Sequence, residues 1–173
     1  KPAGCVSATN DNLHTTILDL LKGSVSVKNL FPVGRLDIDT EGLLLITDDG
    51  ELSHNLLSPS KHVAKTYFAR IDGLVTEEHI KAFKAGLDIG DDKPTKPGTL
   101  VIKRANPDTS TSEILLTITE GRYHQVKRSF EVLGMKVTYL KRLSMGSLAL
   151  DKALAPGEFR ELTETELQAL IQK

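Results

Sequence analysis

Residues 34–42 read GRLDIDTEG, and no other stretch limits the fold and chemistry of this chain as strongly. Two glycines bracket Arg35, Asp37, Asp39, Thr40 and Glu41, and the apolar run Leu43, Leu44, Leu45, Ile46 follows at once. Glycine admits backbone angles closed to other residues, so the bracket marks tight geometry. A loop fed by a rigid buried strand is where folds place reactive side chains. The pattern predicts a strand over 43–47 and, ahead of it, a turn that holds a carboxylate at Asp37.

At 173 residues the chain suits one domain or two intimate halves and is long enough to bury a core. No run approaches the roughly 18–20 apolar residues that span a bilayer, and no signal peptide pattern opens the chain. No membrane partner is therefore expected. The chain opens Lys-Pro-Ala-Gly without a methionine, as expected of a piece whose first module lies upstream. A single cysteine, Cys5, excludes an internal disulfide and a cysteine-built zinc site. A reducing cytoplasm is the simplest location.

The formal net charge of −1 argues weakly against a nucleic-acid binder, but distribution matters more than the sum. Arg122, Lys127, Arg128, Lys136, Lys141 and Arg142 fall close together against only Glu131, while acids gather elsewhere. Such a patch fits a local polyanion site and equally fits a solvated helix face.

Along the chain, 6–9 reads as a short strand and 15–22 as a short amphipathic helix ended by Gly23. Asp48, Asp49 and Gly50 form a turn signal, followed by a helix over 51–57. Residues 65–71, KTYFARI, are rich in β-formers and predict a strand. Thr76 is a plausible N-cap for a helix to Ala85, with Glu77 and Glu78 favourable in its first turn. Residues 88–98 are polar and interrupted by prolines, which predicts a surface loop. Strands are expected over 100–104 and 112–119, joined by an Asn106-Pro107-Asp108 turn. A helix over 123–133 closes on Gly134, strands follow over 136–143 and 148–150, and Thr163 with Glu166 signals the start of a last helix. Strands and helices mix without strict βαβ alternation, so the class is α+β with a mainly antiparallel mixed sheet flanked by helices.

Two stretches carry the chemistry. A nearby cation such as Arg35 would keep Asp37 ionised, as suits a nucleophile or a general base; the alternative is a turn aspartate bonded to its own backbone. Residues 121–128, GRYHQVKR, open a helix directly after a strand, and free N–H groups with basic side chains there suit phosphate. The alternative is an amphipathic helix with a charged face.

Together the two stretches resemble the pseudouridine synthases, in the branch that acts on ribosomal RNA of the small subunit. The family's G-R-L-D-x-D-T-x-G-L-L segment matches 34–44, with its catalytic acid at Asp37, and its G-R-Y-H-Q-V-K-R segment matches 121–128 without a gap. The resemblance runs from the K-P-x-G opening to Pro156-Gly157-Glu158, nearly the whole chain. It implies a pseudouridine synthase catalytic fold with a central cleft over 1–173, preceded in the family by a small RNA-binding domain of ribosomal-protein-S4 type. It implies that Lys127 pairs with the catalytic acid, that Tyr67 lies against the target base, and that Leu148 packs beneath it. Arg35 is expected near the substrate, and Lys65, Arg122, His124, Gln125, Arg128, Lys141 and Arg142 are expected to contact RNA. The partner implied is ribosomal RNA, 16S or a small-subunit assembly intermediate, met by a monomer; a 23S target is the alternative within the branch.

Conversion of uridine to pseudouridine breaks the C1′–N1 bond and joins the ribose to C5 of the same base. No atoms are gained and no redox change occurs, so no cofactor is expected. Asp39, Asp48 and Asp49 suggest a magnesium cluster, but turn chemistry accounts for them and no metal is expected. Two other classes compete. Magnesium-dependent phosphotransferases place an Asp-x-Asp pair directly after an apolar strand, whereas Gly34-Arg35 stand before the motif here. A non-catalytic RNA-binding or ribosome-assembly module would not need Asp37, Tyr67 and Lys127 together.

Overall fold

A computed structural model describes residues 1–171. In chain order the elements are β1 (Phe31–Pro32), β2 (Glu41–Gly42), β3 (Ile46–Thr47), α1 (Gly50–Leu57), β4 (Lys65–Asp72), α2 (Glu77–Ala85), β5 (Thr99–Asn106), β6 (Thr111–Ile118), α3 (Gln125–Glu131), β7 (Lys136–Met145), β8 (Leu148–Ala149) and α4 (Glu164–Ile171), with short 3-10 turns at Asp19–Leu21 and Pro59–Lys61. The class is α+β, as the sequence predicts. The chain divides into two compact units. One comprises residues 1–63 together with the segment from Arg142 onward, and the other runs from Ala64 to Lys141.

In the first unit the apolar run after the glycine bracket explains the packing. Leu43 and Leu45 join a cluster with Val33, Leu52, Leu56, Met145, Leu148 and Leu170, whereas Leu44 and Ile46 join a second cluster around Cys5, Ile17, Leu18 and Leu21. Successive side chains of extended backbone point to opposite faces, so a run buried on both faces must be apolar throughout. The predicted strand over 43–47 is nevertheless not continuous: Glu41–Gly42 and Ile46–Thr47 are separate short strands, the latter antiparallel to β1. Asp49 caps α1, its Oδ1 accepting from Leu52 N at 2.9 Å. Around α4, Thr163 N donates to a Glu166 carboxylate oxygen at 2.8 Å and Glu166 N donates to Thr163 Oγ1 at 3.2 Å, the expected capping box.

The predicted helix over 15–22 does not form. Thr16 N and Oγ1 both donate to Asp19 Oδ2, at 2.8 and 2.9 Å. Val6 N donates to the Thr15 carbonyl and Ile17 N to the Val6 carbonyl, at 3.0 and 2.9 Å. A side chain that bonds nearby backbone offers an alternative to the helical ladder, and only a 3-10 turn remains. The strand expected over 6–9 reduces to a single parallel bridge between Val6 and Thr16.

In the second unit β6 lies antiparallel between β4 and β5, and the first part of β7 borders β4. The alternation predicted for β4 is observed: Lys65, Tyr67, Ala69 and Ile71 are buried. Opposite them stand Ile118, Leu116, Ile114 and Ser112. Thr76 N donates to His79 Nδ1 at 2.9 Å at the start of α2, so a histidine completes the cap that the sequence signals. Further along α2, Phe83 meets Phe130 of α3 with ring centroids 5.1 Å apart. The predicted helix over 123–133 is shortened to α3 because His124 adopts a left-handed conformation, φ 46°. No helix among the described residues is long and apolar enough to cross a membrane.

Candidate active site

Asp37 stands in a turn closed by a 3.0 Å hydrogen bond from Thr40 N to its carbonyl. The residue before it is gripped in both directions by Ser7, whose Oγ donates to the Leu36 carbonyl and accepts from Leu36 N, each at 3.0 Å. The residue after it is held by Gly4 N, which donates to the Ile38 carbonyl at 2.7 Å. Lys1 supplies the densest set of anchors. Its Nζ donates to the carbonyls of Thr40 at 2.8 Å, Asp37 at 3.0 Å, Pro2 at 3.0 Å and Ile38 at 3.4 Å. Burial lowers the pKa of this ammonium, opposed by the charge of Cys5, Asp39, Asp37 and Glu41.

These contacts consume the turn's carbonyls with a cation drawn from the start of the sequence. Leu36 and Thr40 are buried, Arg35, Ile38 and Asp39 are exposed, and Asp37 is half-buried. An acid whose backbone is fixed on both sides and whose side chain keeps partial access to solvent is suited to present a carboxylate to a ligand. Gly42 closes the bracket with φ +112°, and a Cβ there would fall on the Arg142 carbonyl and 2.6 Å from Arg142 N. The second glycine of the motif is therefore required by both conformation and space.

Several of the expected site residues are buried or hydrogen-bonded within the chain. Arg142 is 2% exposed. Its Nε donates to the Leu43 carbonyl at 2.8 Å, and Leu43 N donates to the Arg142 carbonyl at 2.8 Å, so it braces the run after the glycine bracket. Leu148 lies within the apolar core of the first unit. Lys65 is buried on the Tyr67 face of β4. Gln125 is buried, its Nε2 donating to Glu120 Oε1 at 2.9 Å and its Oε1 accepting from Arg122 N at 3.0 Å. Asp49 serves as a helix cap, which explains that acid by turn chemistry.

Arg122 and Arg128 hold the polar excursion over 88–98. Arg128 Nη2 donates to Asp91 Oδ1 at 2.6 Å and to the Ile89 carbonyl at 2.5 Å. Arg122 Nη1 donates to the Lys93 carbonyl at 2.6 Å, and its Nη2 to the Pro94 carbonyl at 2.7 Å. The hydrogen bond from Arg128, and next that from Arg122, hold the Asp91 carboxyl below the usual carboxylate range. The expected surface loop is thus a pinned one. Lys127 in α3, His124 before it, and Lys141 near the end of this unit are half-exposed.

Asp37, Arg35 and Leu148 belong to the first unit, and Tyr67, Lys127 and His124 to the second. Sequence reasoning missed Lys1, Asp91 and Glu120 as organising residues. Lys1 carried a signal in the K-P-x-G opening, but only as part of a resemblance. Nothing in the sequence around Asp91 announces its two arginine partners.

The model of the family described as RNA pseudouridylate synthase matches residues 1–132. The RNA pseudouridine synthase YtzG of Bacillus subtilis is 51% identical over 170 residues, which cover 98% of this chain and 70% of that protein. The chain belongs to the RNA pseudouridylate synthase family. Ribosomal small subunit pseudouridine synthase A of Escherichia coli K12 is 42% identical over 172 residues, covering 99% of this chain and 71% of the relative. A solved structure described as a pseudouridylate synthase superposes with a TM-score of 0.89 at 41% identity, covering 98% of this chain and 70% of that one. The family assignment read from 34–44 and 121–128 is borne out, as is the fold it implies. The chain is therefore an RNA pseudouridine synthase, an isomerase.

Proposed function

We propose that this pseudouridine synthase isomerises a uridine of ribosomal RNA, that the RNA is the 16S molecule or a small-subunit assembly intermediate, and that Asp37 is the reacting acid. The observation that carries the reading is the turn at Asp37, whose carbonyl and that of Thr40 are both held by the Lys1 ammonium. Relatives that bear the small-subunit name support the choice of RNA. The Asp37 carboxylate either attacks C1′ or removes a sugar proton to release the base. The detached uracil turns, C5 bonds to C1′, and the hydrogen at C5 leaves as a proton while N1 gains one.

Lys127 pairs with the Asp37 carboxylate in this reading and favours its ionised form. Tyr67 lies against the target base, a contact worth roughly 1–3 kcal/mol on the scale of base–aromatic stacking. The base must leave its stack, at a cost of a few kcal/mol, and phosphate contacts from the half-exposed Lys141 and His124 and from exposed Arg35 offset that cost. The protein acts as a monomer in the cytoplasm.

Release of tritium from RNA labelled at uridine C5 tests the reading, because the new glycosidic bond displaces that hydrogen. Wild type releases tritium and Asp37→Asn does not. RNA binding without release would leave a non-catalytic binding module, and release undiminished in Asp37→Asn would remove Asp37 from the reaction. Mapping pseudouridine in ribosomal RNA of a deletion strain separates a 16S from a 23S target. Lys127→Ala loses turnover and keeps most RNA affinity; equal loss of both contradicts the pairing.

A further inference from the structure

Tyr123 is 76% exposed, far more than Phe159 at 41%, the other exposed aromatic among the described residues. It is nevertheless held firmly. Its ring stacks on the His124 imidazole with centroids 3.8 Å apart and an interplanar angle of 17°. Its carbonyl accepts from Arg128 Nη1 at 3.1 Å. His124, one residue on, sits at φ 46° with its carbonyl accepting from Arg128 N at 2.9 Å. On the other side, Arg122 N donates to the buried Gln125 side chain at 3.0 Å. Three consecutive residues are thus fixed so that one aromatic ring faces water.

The left-handed backbone at His124 has a conformational cost. A non-glycine residue in the left-handed region stores strain, and such strain persists where the surroundings impose it, often at sites that meet ligands. An exposed ring adds nothing to the core. Stacking is an interaction open to an exposed aromatic ring, and nucleobases supply a flat π-face of any sequence. Phosphate recognition by the adjacent arginines is disfavoured, because Arg122 and Arg128 are engaged with Asp91 and with loop carbonyls.

We propose that Tyr123, backed by His124, is a stacking platform for an unpaired base of the substrate RNA other than the uridine that is isomerised. This rests on the reading that the substrate is ribosomal RNA. The target base itself needs a site shielded from water, whereas Tyr123 is open to it. Tyr123 therefore contributes to the choice and grip of the RNA rather than to the bond changes.

The chain contains no tryptophan, so Tyr123→Trp creates a single indole reporter at this position. The probe is transcribed 16S rRNA. Saturating RNA quenches the indole emission of Tyr123→Trp, because stacking brings a base onto the ring. Tyr123→Ala binds roughly tenfold more weakly or worse, while Tyr123→Phe and Tyr123→Trp bind like wild type. The slope of log affinity against log salt is the same in Tyr123→Ala and wild type, because a stack releases no counterions. In turnover, Tyr123→Ala raises KM and leaves kcat in place.

Unaltered indole emission on saturating RNA overturns the proposal. So does wild-type affinity in Tyr123→Ala, a reduced salt slope in that variant, or failure of wild type to bind the transcript. The outcome is separable from that of the isomerase reading. Quenching and weakened binding without pseudouridine formation keep the platform and reject the reaction. Pseudouridine formation in 16S rRNA with Tyr123→Ala indistinguishable from wild type does the reverse.

Discussion

Lys1 and Asp37 are joined by a 3.0 Å hydrogen bond from the ammonium of the first to the backbone carbonyl of the second. The same ammonium also donates to the Thr40 carbonyl at 2.8 Å, so one cation spans the turn. Hydrogen bonds to charged groups contribute about 1.5–3 kcal/mol each, and small displacements of a reacting group lower rates steeply. Lys1→Met is expected to reduce kcat by roughly tenfold or more with little change in RNA affinity. Steady-state kinetics beside filter binding check this. A rise in KM at unchanged kcat would assign Lys1 to RNA contact instead.

Gly42→Ala is expected to destabilise the protein by about 2–4 kcal/mol, through backbone strain and displacement of a neighbouring strand. Its φ is +112° and the intruding Cβ meets the backbone of Arg142, which cannot swing aside as a side chain would. Urea denaturation reads the loss as a lower midpoint. Gly34→Ala meets only the end of the Leu57 side chain, at 2.8 Å, although its φ of +79° is also unfavourable; its loss is the smaller of the two.

Asp91→Asn is expected to loosen the excursion over 88–98 with little change in global stability, because exposed ion pairs contribute weakly. Arg122 and Arg128 converge on this carboxylate and lower its pKa in the folded protein. Its contribution is therefore present above the ordinary carboxylate range and fades only as pH falls below it. Amide hydrogen exchange at Ile89 to Lys93 reads the effect: protection falls in the variant at neutral pH and falls in wild type only in acid.

The two motifs were legible because their residues are fixed by local demands. The glycine bracket needs positive φ at both ends, as found at Gly34 and Gly42, and the alternation in 65–71 needs one buried face. Thr163 and Glu166 likewise complete their cap within four residues. What the sequence hid was set by partners far along the chain. The bonds of Arg142 to the Leu43 carbonyl, of Gln125 to Glu120 and of Arg122 to Asp91 join residues that nothing in the sequence pairs. The misread helix over 15–22 has the same cause, since Val6 takes the backbone donor of Ile17. Periodicity reports which residues are apolar, but not which backbone groups find distant partners.

Glu166 supplies a pH-dependent anchor for the last helix. Arg160 donates to both of its carboxylate oxygens, at 2.7 and 2.8 Å, and also to Asp151 Oδ2 at 2.7 Å. The Arg160 hydrogen bonds, and next the Thr163 N–H, lower the Glu166 pKa from 4.5 to about 2. A carboxyl whose folded pKa is depressed contributes stability above its unfolded pKa and loses it as pH falls through the folded value. The contribution is complete above about pH 4.5 and gone below about pH 2. Glu166→Gln keeps an acceptor for the Thr163 N–H and removes the charge that Arg160 holds. Its Tm is expected to lie below that of wild type at neutral pH, with the gap closing as pH falls from 4.5 toward 2. Thermal melts of both proteins across that interval test it, and a constant gap would show that Arg160 gains nothing from the ionised form.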